Sequence, residues 1–220
     1  MVTTHLVPAD LQSLYEVHEW RNAAGILATS APKEWAEIQA ALRVFRLYRS
    51  EAAAKGKNRS RIVKRFEHPL ATSGWVEKQF RTAIEIDGAS TPSPTHKVDC
   101  FKGRVALEVE WNNKDPFYDR DLNNFRLLFD LRVIDVGVIV TRADHLQRIF
   151  DDLGRGKSFG NSTTHMGKLL PRLNGGGGGG CPVLVFGITN QLYVDDQADP
   201  VKPLSGVSDD EGEDDADEDI

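Results

Sequence analysis

The sequence predicts an α/β domain built on a mixed central β-sheet flanked by helices. Three observations predict it. Residues 133–141 and 182–188 are near-continuous apolar runs, the pattern of strands buried on both faces. Residues 98–113 carry two apolar arms around Lys102-Gly103, the pattern of a β-hairpin. Segments with helical spacing precede and separate these strands.

Taken in order, residues 11–27 have helical spacing, with Leu11, Leu14, Tyr15, Val17 and His18 near one side and Asp10 as N-cap. The helix expected over 33–50 repeats Trp35, Ile38, Leu42, Phe45 and Leu47, with Pro32 in its first turn. Residues 51–65 are basic, with Lys55, Lys57, Arg59, Arg61, Lys64 and Arg65, and either form a solvated face or meet phosphate. A third helix is expected over 74–86, then a loop over 88–94. After the hairpin, helical period resumes over 115–132, with Pro116 near its start. A short helix is expected over 144–153 and a polar loop over 154–168. Residues 175–180 are six consecutive glycines, expected to be a flexible insert.

The chain's 220 residues suffice for one sizeable core, and we place the folded domain at 1–204. No apolar run approaches the roughly 18 residues of a membrane span, and no secretion signal is expected at the start. Two cysteines, Cys100 and Cys181, make no disulfide framework, which suits a reduced, cytoplasmic setting. The net charge of −6 hides an asymmetry: residues 205–220 form an acidic tail with nine carboxylates and no basic group, expected to be disordered. Without those nine, 27 basic residues face 24 acidic ones, so the body is +3 and suited to a polyanion.

The chemistry concentrates in the hairpin. Side chains alternate along a strand, so Glu108 and Glu110 share a face. With Lys102 and Gly103 as the loop, Phe101 pairs with Arg104 and Asp99 with Ala106. Asp99 then joins the two glutamates as a diagonal neighbour of Glu108, at roughly 7 Å. Such a cluster repels itself unless a divalent cation neutralises it, and oxygen ligands suit Mg²⁺ or Mn²⁺. The alternative is an exposed acidic strand face without a metal.

The order Asp99, Glu108-x-Glu110, helix, buried strand resembles the PD-(D/E)xK nuclease core and, more narrowly, the BglII-type restriction endonucleases. The resemblance covers residues 22–190 in patches. It is carried by the nine-residue step from Asp99 to Glu108, by Asn112-Asn113 with Pro116-Phe117, and by the strand ending Ile139-Val140-Thr141. The loop at 160–164, the strand at 182–188 and the helix that opens Trp35-Ala-Glu-Ile-Gln add to it. The general nuclease pattern ends in Lys where this chain has Glu110. The narrower family also lacks that Lys and carries Gln or Glu.

The resemblance implies a type II restriction endonuclease: Mg²⁺-dependent hydrolysis of double-stranded DNA at a short palindrome. A homodimer would act there, paired with a cognate DNA methyltransferase. A repair or nicking nuclease, or a DNA-binding protein with a decayed site, are the alternatives. Asp99 and Glu108 would hold the cation, helped by the Val109 carbonyl, and Glu110 would orient or deprotonate the attacking water. A fourth polar group is expected from the preceding helix, with Glu77 and Glu85 as candidates. Base reading would fall to Asn112, Asn113, Asn161, Ser162 and Thr163, and phosphate contact to Lys57 and Arg61.

Overall fold

A computed structural model describes residues 3–54, 59–92 and 95–198, with the backbone alone at 59 and 60. Lys57 and the acidic tail lie outside the described residues. In chain order the elements are α1 (Ala9–Leu14), β1 (Tyr15–Trp20), α2 (Ala23–Ser30), α3 (Pro32–Val44), β2 (Leu47–Tyr48), α4 (Arg49–Ala53) and α5 (Arg59–Thr72). Then come β3 (Val76–Gln79), β4 (Ala83–Ile86), β5 (Ala89–Pro92), β6 (Lys97–Lys102), β7 (Val105–Val109) and α6 (Phe117–Asp130). The domain closes with β8 (Val136–Arg142), α7 (Gln147–Asp152), α8 (Met166–Asn174), β9 (Val183–Ile188) and β10 (Tyr193–Val194).

Six strands form a mixed sheet in the order β1-β9-β8-β7-β6-β3. The central strands β7, β8 and β9 are parallel, and β1, β6 and β3 are antiparallel to their neighbours. Strict alternation sends Val105, Leu107 and Val109 of β7, Val136, Val138 and Val140 of β8, and Leu184, Phe186 and Ile188 of β9 into one core, with Trp35, Ile38 and Phe66. Ala106, Ile139, Val183 and Val185 point the other way, onto Tyr118, Leu122, Phe125 and Leu128 of α6 and Leu169 of α8. Gly137 lies under the Phe125 ring, where a Cβ would come within 2.3 Å of it. Fully burying each such aromatic or aliphatic side chain contributes about 1.5–3 kcal/mol.

The first part of the chain differs from expectation. Residues 11–27 are not one helix. The helix ends at Leu14, and Tyr15–Trp20 runs as an edge strand against Ile188 through Val183. Glu19 fastens the following turn: its carboxylate accepts from Thr3 Oγ1 at 2.8 Å, the Thr3 amide and the Ala24 amide. Helix α3 stops at Val44, short of the expected 50. Part of the basic segment is helical, continuing to Thr72. Residues 74–86 are not helical. Gly74, at φ 87°, terminates α5 with the Trp75 amide returning to the Leu70 carbonyl, and two strands follow. The expected loop at 88–94 contains β5, paired with β4.

The later elements follow the predicted order except for one helix that the sequence did not predict: α8 begins at Met166, inside the expected polar loop, and precedes β9. The glycine run caps α8: the amides of Gly175, Gly176 and Gly177 bond to Pro171, Leu173 and Arg172 carbonyls. It lies against Leu122, Arg126 and Phe129 of α6. Both cysteines are buried and unbridged. No helix among the described residues is long and apolar enough to cross a membrane.

Candidate active site

The hairpin is displaced by one residue from its expected turn. Lys102 pairs with Val105, Phe101 with Ala106 and Cys100 with Leu107, so Gly103 and Arg104 form the loop. Gly103 has φ 57°, the left-handed conformation a first loop residue needs, and a Cβ there would lie 2.8 Å from Glu34 Oε1. Continuing this register sets Asp99 directly across from Glu108.

The two carboxylates bond each other's strands. Asp99 Oδ2 accepts the Val109 amide at 2.8 Å, and Glu108 Oε2 accepts the Asp99 amide at 3.2 Å. Glu108 is 2 % exposed and its Oε1 has no hydrogen-bond partner. Burial, then the charges of Asp99 and Asp121, push the Glu108 carboxyl well above the usual range. Glu110 is also buried, its amide bonded to the Val140 carbonyl and its Oε2 accepting from Asn113 Nδ2 at 2.9 Å.

A fourth buried carboxylate, which sequence reasoning missed, comes from α6. Asp121 is 1 % exposed, and burial followed by the Glu110 charge raises its carboxyl well above the ordinary value. Arg120 partly offsets this, with Nη2 3.1 Å from Asp121 and 3.8 Å from Glu110. The signal was present: Asp121 sits on the buried stripe of Tyr118, Leu122, Phe125 and Leu128, where a carboxylate is out of place unless partnered. Among the described residues no three His, Cys, Asp or Glu groups already stand at metal-holding spacing. Oxygen-only donors with two unpartnered buried carboxylate oxygens nevertheless fit a hard divalent cation.

The other expected site residues separate. Glu77 is exposed on β3, 3.4 Å from Lys97, and Glu85 is exposed in the separate two-stranded β4–β5 sheet. Asn112 and Asn113 follow β7. Asn112 has φ 59°, and Asn113 is buried with its side chain on Glu110. Asn161 and Ser162 are exposed, and Thr163 is half-buried. The two loops are joined by the Thr164 amide on the Asn113 carbonyl, the Asn113 amide on Thr164 Oγ1 and the Asp115 amide on the Ser162 carbonyl. Arg142, also missed, lies buried beneath the second loop and bonds the Phe159 and Thr164 carbonyls and Thr163 Oγ1. Arg61 is half-buried on α5.

A mixed six-stranded sheet with helices on both faces and acidic side chains across a hairpin at its heart defines a restriction-endonuclease-like domain. The family model of restriction endonuclease BglII/BglIII matches residues 15–188, and the chain belongs to that family. Membership makes it a nuclease acting on DNA. No individual curated protein matches it in sequence.

Proposed function

We propose that this protein is a type II restriction endonuclease: a cytoplasmic homodimer that hydrolyses phosphodiester bonds in double-stranded DNA at a short palindromic site. Its partner in the cell is a DNA methyltransferase of the same specificity, and two-fold symmetry in the protein matches that of the site. The observation that carries the reading is the reciprocal bonding of Asp99 and Glu108 across the hairpin, with Glu110 buried beside them, in a chain of this family.

Asp99 and Glu108 would hold Mg²⁺ (Mn²⁺ substituting), with the Val109 carbonyl. When bound, the cation supplies charge neutralisation at the scissile phosphate and acidifies water. Glu110 orients the attacking water and takes its proton, and Asn113 holds the carboxylate in place. Asn112 and Asn113 on one loop, and Asn161, Ser162 and Thr163 on the other, form a single platform for base edges. Asn113 would serve both, the bases when DNA is bound and Glu110 throughout. Lys57 and Arg61 meet phosphates.

Plasmid digestion tests the reading. Discrete bands are expected in Mg²⁺ or Mn²⁺, no cleavage in EDTA, and binding without turnover in Ca²⁺. A smear of random fragments would remove site specificity, and full activity in EDTA would end the metal model.

A further inference from the structure

Asp121 is unlike the other acidic residues of α6. Asp119, two positions earlier, is exposed and paired with Arg172. Asp121 is buried on the side of α6 that faces the sheet, near enough to Glu110 for the two charges to repel. Its Oδ1 is taken by Arg120, whose Nε and Nη2 both approach that oxygen at 3.1 Å. Its Oδ2 is buried and has no donor. Glu108 Oε1, across the same interior, is in the same condition. One turn further along the stripe, Asn124 Oδ1 is buried without a donor, while its amide nitrogen reaches the His96 carbonyl.

Buried carboxylate oxygens without donors are costly, and native chains keep few. Here two of them belong to acids on facing elements, and the nearby guanidinium is a single charge against Asp99, Glu108, Glu110 and Asp121. Arg120 is also committed elsewhere, its guanidinium 4.2 Å over the Phe117 ring. A divalent cation bound between them would give both orphan oxygens a partner and remove the repulsion that Arg120 only partly offsets.

We propose that Asp121 is the fourth acidic group of this active site, a divalent-cation ligand supplied by the helix after the hairpin rather than by the segment that holds Glu77 and Glu85. The inference rests on the metal-dependent reading above.

The test is Mn²⁺ titration of the full-length protein without DNA, following free Mn²⁺ by electron paramagnetic resonance, with thermal melts of every variant. Asp121→Asn should weaken Mn²⁺ binding by about tenfold or more, since even residues that only support a ligand cost that much. Asp119→Asn should bind as the parent does. Asp121→Asn should also melt no lower than the parent, because it removes repulsion while keeping shape. Parent-like Mn²⁺ affinity in Asp121→Asn with loss in Asp99→Asn would overturn the assignment and leave the nuclease reading intact. Loss in Glu77→Gln or Glu85→Gln instead would move the fourth group there. Failure of Asp121→Asn to fold would make the carboxylate a structural partner of Arg120, again overturning the proposal. If Asp99→Asn and Glu108→Gln both bind as the parent does, the metal site itself is misplaced.

Discussion

The side-chain amide of Asn113 donates to Glu110 Oε2 at 2.9 Å, and this bond joins the loop that follows the hairpin to the buried carboxylate proposed to act on the attacking water. A hydrogen bond to a charged group contributes about 1.5–3 kcal/mol. Asn113→Ala should therefore slow single-turnover cleavage by about tenfold or more through Glu110 alone. Asn161→Ala, at an exposed loop position, should weaken cognate binding by about 1–3 kcal/mol and leave the rate from bound complex near the parent's. Titrations on cognate and random duplex beside single-turnover kinetics separate the two. A normal rate in Asn113→Ala would show that the bond positions nothing.

Glu110 itself should matter more. Glu110→Gln is expected to slow the chemical step by about 10²-fold or more, the scale of general-base help. Glu110→Lys, which restores the general nuclease pattern on paper, should also be inactive, because Arg120 already lies 3.8 Å from that position. Parent-like cleavage by either variant in rapid-quench experiments would remove Glu110 from the chemistry.

Arg142 is 1 % exposed and secures the second loop from below. Arg142→Met should cost about 1–3 kcal/mol for each buried carbonyl left without a donor. The urea midpoint should fall with an unchanged m value. Cognate binding should weaken more than random-duplex binding, because residues 160–164 lose their anchor. An unchanged ratio between the duplexes would confine Arg142 to stability.

Asp144 gives a pH dependence away from the carboxylate cluster. Burial alone would raise its carboxyl. The Gly167 amide at 2.9 Å and His165 Nδ1 at 2.6 Å more than reverse that, and the group lies below its ordinary 3.8. A depressed folded value means that its contribution is present above 3.8 and disappears as pH falls through the folded value. Asp144→Asn should thus melt below the parent at about pH 7, and the gap should close in strong acid. A gap of constant size across the range would show that the ionised form is not what caps α8.

The sequence revealed the sheet's centre and the shared face of the three carboxylates, because alternation and apolar runs are local signals. It misplaced the hairpin turn by one residue. Lys102 stays in β6 because its ammonium reaches Glu37 and the Ser73 carbonyl, partners far away in the chain. Moving a turn by one residue moves each partner by two, so Asp99 kept its face while its neighbour changed from Ala106 to Glu108. Residues 15–20 become a strand because β9 offers an unpaired edge, which overrides local helical spacing. Trp75 and Phe80 have helical spacing, but Gly74 ends the helix before them and does not start a new one.

The edge ladder between Tyr15–Trp20 and Val183–Ile188 also sets when the protein can be finished. A chain emerging from the ribosome exposes β1 before any other strand of the sheet, yet its partner β9 is the last of those strands to be made, so the sheet stays open at that side until all the others have emerged. Closing so long a loop is slow, and until then the unpaired edge of β1 is open to association with other chains. Cutting the chain before Ile188 should thus yield an aggregating fragment rather than a smaller nuclease, even though every acidic residue of the site lies upstream of the cut.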